Sequence, residues 1–98
     1  MILVTGSVLA RPETFEEVLR LSLEHVERSR LEDGCVSHDV HVDCQNPLRL
    51  FFFEQWRDEP ALRAHFAVPE SRAFVKALRT LEVETTGTHI FRAEPIPR

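Results

Sequence analysis

Glycine is scarce, with three in 98 residues, and none stands in a GxGxxG or phosphate-loop pattern. A tightly held nucleotide or flavin dinucleotide is therefore not expected. Cysteine is scarcer: Cys35 and Cys44 are the only two, without CxxC spacing. That excludes a disulfide framework and reads as two reduced thiols, Cys35 partly packed. No HExxH, HxxxH or clustered Cys/His motif occurs, so neither a metal site nor a cofactor is expected. No apolar run is long enough to span a bilayer. The N-terminal stretch, MILVTGSVLARPE, lacks the basic and long apolar regions of a signal peptide, so a cytoplasmic protein without membrane partners is expected. Positive charge is not in excess either. Twelve Lys and Arg against 16 Asp and Glu give a net charge of −4, which argues against general nucleic-acid binding. What is present is an ordinary globular balance, 43% hydrophobic and 29% charged, in one domain over residues 1–98.

Residues 2–10 are rich in β-branched and apolar side chains and predict a strand. Pro12 suits the first turn of a helix. Phe15, Val18, Leu19, Ser22, Leu23 and Val26 then recur at steps of three and four, an amphipathic helix that Gly34 stops. Its His25 is expected on the wet side. Residues 35–43 alternate as a strand, 43–47 form a turn, and 48–56 form the most strongly β stretch, so the two strands make a hairpin. Asp58, Glu59 and Pro60 signal a helix start, and Pro69 divides the helical region in two. Residues 83–92 make a last strand, with His89 a candidate for burial. The prolines of the tail keep it out of a central strand. The order predicts an α+β, ferredoxin-like βαββαβ fold with an antiparallel sheet and helices on one face.

That arrangement leaves one sheet face uncovered. Leu48, Leu50, Phe52 and Trp56 point one way along their strand, Phe51 and Phe53 the other. Helices cover only one side. Contiguous apolar patches are avoided on soluble monomers, so a homodimer packed through the helix-free sheet face is expected.

Residues 53–66, FEQWRDEPALRAHF, resemble the signature of the antibiotic biosynthesis monooxygenase (ABM) family: a strand with Glu-x-Trp, an acidic helix start, then Ala-Leu-x-x-His. Phe74 looks like the aromatic that follows there. The resemblance implies a dimeric α/β barrel and places a small-molecule site near these residues. Two departures stand out. Pro69-Glu70 replaces a frequent Pro-His, and Gly6-Ser7 stands where haem-degrading members carry Asn, which argues against haem degradation.

What the resemblance implies is oxygenation of a small phenolic or quinol-type aromatic substrate by O₂ without cofactor. A deprotonated hydroquinone can itself give an electron to O₂, so the protein need supply only a base, orientation and a dry pocket. His65 is the candidate catalytic base, since imidazoles exchange protons near neutral pH; the alternative is a helix-end His that caps carbonyls. Phe52, Trp56, Phe66 and Phe74 are candidate pocket residues. Trp56 reads most simply as core or interface, with an indole N–H able to orient a ligand. Glu54, in an apolar row, is either a pocket carboxylate or an ion-pair partner of Arg49, Arg57 or Arg63, the pair being favoured. His38 and His41 lie on opposite strand faces, and His38 is the better pocket candidate. The alternative functions are an isomerase of a small carbonyl compound and a non-catalytic ligand-binding dimer.

Overall fold

A computed structural model describes residues 1–98. Strand β1 (Ile2–Leu9) leads to helix α1 (Phe15–Ser29), hairpin strands β2 (Cys35–Asp43) and β3 (Asn46–Trp56), helices α2 (Glu59–Ala67) and α3 (Pro69–Thr80), and strand β4 (Glu84–Arg92). The sheet is antiparallel with order β2-β3-β1-β4. This is the ferredoxin-like arrangement expected from the sequence. No helix is long and apolar enough to cross a membrane.

Pro12 does not open α1. It stands in a turn, and Thr14 is the N-cap without a side-chain cap bond. Asp58, in contrast, caps α2 as expected: its carboxylate accepts from the Ala61 amide at 2.9 Å, and Pro60 occupies the first turn.

Parity on β3 decides the layers. Leu50, Phe52, Glu54 and Trp56 are buried beneath the helices, while Phe51 and Phe53 on the other face stay half-buried. The apolar core is split. One cluster joins Val8, Val18, Val26, Leu50, Phe52 and Leu78; the other joins Ile2, Val4, Trp56, Ala61 and Leu62. Between Phe52 of the first and Trp56 of the second stands Glu54, and this seam holds the polar residues described next.

Candidate active site

Three elements deliver three histidines to the seam. On α1, the row Val18, Ser22, His25, Ser29 faces inward at helical spacing, so His25 is buried at 7% exposure rather than wet. On β2, His38 lies opposite Glu54 in the strand register and is 1% exposed. On α2, His65 lies one turn after Leu62 on the buried face and is 3% exposed. Donor atoms of all three lie within 4.8 Å of one another. The local spacings that led to no metal site being expected carry no information about a cluster assembled this way.

The loop after α1 completes the group. Gly34 adopts a left-handed φ of 83°, and a Cβ there would meet the Ala61 Cβ at 2.5 Å. This close approach docks the loop on α2 and brings Glu32 to His65, whose Nδ1 lies 2.9 Å from Glu32 Oε1. His65 stands in the last turn of α2, but its ring bonds a carboxylate rather than capping carbonyls. A carboxylate oxygen only accepts, so Nδ1–H donates to Glu32, while Nε2 faces Glu54 Oε1 at 3.8 Å.

Glu54 does not pair with Arg49, Arg57 or Arg63. Arg49 bonds Asp43, Arg57 bonds Asp33 and Asp58, and Arg63 pairs with Glu59. Glu54 Oε1 instead accepts from Trp56 Nε1 at 2.9 Å, and its Oε2 is 3.6 Å from His38 Nε2. Burial raises the Glu54 pKa against the indole bond and the His65 ring, which lower it. Burial likewise pushes the His25 and His38 imidazoles down to about 3, with the neighbouring histidines adding to the effect. Both are neutral at physiological pH.

A cavity of about 500 Å³ opens from this polar group between the sheet and α3. Phe52, Phe66, Phe74, Val4, Val8 and Leu78 give it apolar walls, with His25, His38, Glu54 and His65 at one end. Phe74 stacks on His25 at 4.2 Å between centroids. Phe66 is 39% exposed and stands at the mouth. Trp56 does not line the cavity: it is fully buried behind Glu54 and acts on the site through its indole N–H and through its ring, whose centroid lies 4.6 Å from that of His65. His89 is exposed and takes no part. His25, Glu32 and Arg28, whose guanidinium is 2.8 Å from His25 Nδ1 and 3.2 Å from Ser71 Oγ, are additions that the sequence reading lacked.

The family model for antibiotic biosynthesis monooxygenases matches residues 1–77. The uncharacterized protein sll1783 of Synechocystis is 37% identical over 91 residues, covering 93% of this chain; the chain spans only 62% of that relative's length. A crystal structure from Deinococcus radiodurans superposes with a TM-score of 0.95 at 24% identity, covering 100% of this chain and 97% of that one. A conserved protein from Methanosarcina mazei superposes with a TM-score of 0.86 at 28% identity, covering 95% and 92%. With the fold and most of the sequence matched, the chain belongs to the antibiotic biosynthesis monooxygenase family.

Proposed function

We propose that the protein oxygenates a small phenolic or quinol-type aromatic substrate with O₂, using His65 as the base. The observation that carries this reading is the Glu32–His65 bond, which turns Nε2 towards the polar end of a cavity walled in part by Phe52, Phe66 and Phe74. A carboxylate that fixes an imidazole tautomer in this way makes the outer nitrogen the acceptor. Volume and lining suit one aromatic ring among Phe52, Phe66 and Phe74. The chemistry balances without a reductant. A hydroquinone loses its phenolic proton to His65 Nε2 and gives its own electrons to O₂. One oxygen atom enters the ring and the other leaves as water, so the product is a hydroxyquinone. Glu54, held towards its neutral form, is placed to return a proton to a peroxide oxygen.

That same buried carboxyl, its pKa raised by burial, beside a base favours a second reading, isomerisation of a small carbonyl compound through its enol. Oxygen-electrode traces with a hydroquinone panel separate the two. The oxygenase reading expects substrate-dependent O₂ uptake. Anaerobic proton exchange on carbonyl compounds without O₂ uptake would replace it with the isomerase.

The working unit in this reading is a homodimer joined through the helix-free sheet face. Leu3, Phe51 and Phe53 stay half-buried there and Phe91 is 51% exposed. Burying one Phe side chain contributes about 1.5–3 kcal/mol. Sedimentation is expected to give a dimer at micromolar concentration, and Phe51→Glu or Phe53→Glu a monomer or an aggregate. A monomeric wild-type protein would remove the dimer from the account.

A further inference from the structure

We infer that His38, His65 and Glu54, with His25 as the third imidazole, form a binding site for a divalent first-row transition-metal ion. The inference goes beyond the reading above, which concerns the metal-free protein. An ion would take the His65 lone pair that otherwise accepts the substrate's proton. Binding is therefore measured without substrate, so each reading can fail alone.

Convergence is the first observation. Three buried imidazoles from α1, β2 and α2 bring their donor atoms within 4.8 Å of one another, and no stretch of chain links them locally. His38 supplies the second. It is 1% exposed, and neither of its ring nitrogens has a hydrogen-bond partner within the protein. Buried polar atoms without partners are rare and costly, and this one is aimed at Glu54 and the other two rings. The third observation lies behind the cluster. Metal-bound histidines generally donate their other N–H to a carboxylate or carbonyl, and His65 already does so to Glu32.

The donor set and spacing are chemically consistent. Nitrogen and oxygen ligands about 2.0–2.1 Å from a tetrahedral ion stand roughly 3.3–3.5 Å apart. Glu54 oxygens lie 3.6 Å from His38 Nε2 and 3.8 Å from His65 Nε2, close to that spacing. The imidazoles must close by about 1 Å or more, a movement that side-chain rotation supplies. Imidazole with one carboxylate suits zinc, iron and nickel among divalent ions.

Arg28 sets a condition. Its guanidinium donates to His25 Nδ1, which holds that ring's proton on Nε2. His25 joins the ion when Arg28 keeps only its Ser71 bond and the proton moves to Nδ1. Glu54 and Glu32 offset the positive charge of Arg28 and the ion.

The test uses purified protein stripped with a chelator, then titrated with Zn²⁺ and, separately, Co²⁺. Calorimetry is expected to give one equivalent per chain, and Co²⁺ the intense visible bands of a low-symmetry four-coordinate site. His38→Asn should abolish both, while Glu32→Gln, which keeps every ligand, should weaken binding by about 10–100-fold. Cys44→Ser should change nothing. Circular dichroism checks that each variant folds, and Glu32→Gln carries the test if His38→Asn does not. Absence of stoichiometric binding, binding unchanged in both site variants, or binding lost in Cys44→Ser would each overturn the site.

Discussion

Replacing His65 with Gln is expected to lower kcat/KM for a quinol substrate by about 10²–10⁴-fold, the usual loss for a general base. The substitution keeps a polar group of similar reach but removes the acceptor nitrogen. Glu32→Gln tests the same feature from behind. The Gln amide can donate to Nδ1 and so reverse the tautomer, which turns the proton away from its acceptor. A loss of about 10²-fold or more follows, because a triad carboxylate changed to its amide costs up to about 10⁴-fold. His65 is buried, so its own loss also reaches stability, by about 1–3 kcal/mol. The decisive comparison is therefore Glu32→Gln, where the melting temperature should move little and the rate fall far. Unchanged kinetics in both variants would remove His65 from the mechanism, and rates falling only in step with stability would return it to the core.

The second large effect is acid sensitivity of the chelator-treated protein. His25 and His38 titrate at about 3 when folded and near 6.5 when unfolded, so between these values the unfolded chain binds more protons. Stability is full above about pH 6.5 and falls as pH drops towards 3. Each group contributes about 1.4 kcal/mol per pH unit, or about 4 kcal/mol for the pair between pH 6.5 and 5. Glu54 acts in the opposite sense. Its raised pKa makes the folded state take up a proton first, offsetting part of that loss as pH falls through its titration. The net result is a melting temperature that falls as pH drops from 7 to 5, by about 4–8 °C for each kcal/mol lost in a domain of this size. His38→Leu should flatten the profile by about half. A melting temperature independent of pH between 7 and 5 would show that these histidines are not held neutral by the fold.

The parts of this site that the sequence made legible are those governed by local periodicity. Strand parity put Phe52, Glu54 and Trp56 on one face of β3, and Asp58 with Pro60 marked the start of α2. His25 was legible and misread. Its polarity suggests water, yet Val18, Ser22 and Ser29 share its helical row, and that row is the buried one. The partners of Glu54 were not legible, because arginine neighbours in sequence point outward to Asp43, Asp33 and Glu59 while the indole two residues on turns inward. Glu32 was beyond local reasoning altogether. Its place depends on a left-handed glycine docking one loop against a helix 27 residues further on, where Ala61 leaves room for nothing larger than hydrogen. The histidine cluster has the same character, since α1, β2 and α2 meet only in the folded sheet-and-helix layer.

Isotope labelling tests oxygenation most directly. Stripped protein is incubated with an active hydroquinone under ¹⁸O₂ in ordinary water, and the product is reduced at once to stop carbonyl exchange, then weighed by mass spectrometry. The account predicts one ¹⁸O atom per product molecule, one O₂ consumed for each, and loss of both in His65→Gln. Product carrying oxygen only from water, or product formed at the same rate without O₂, would contradict it.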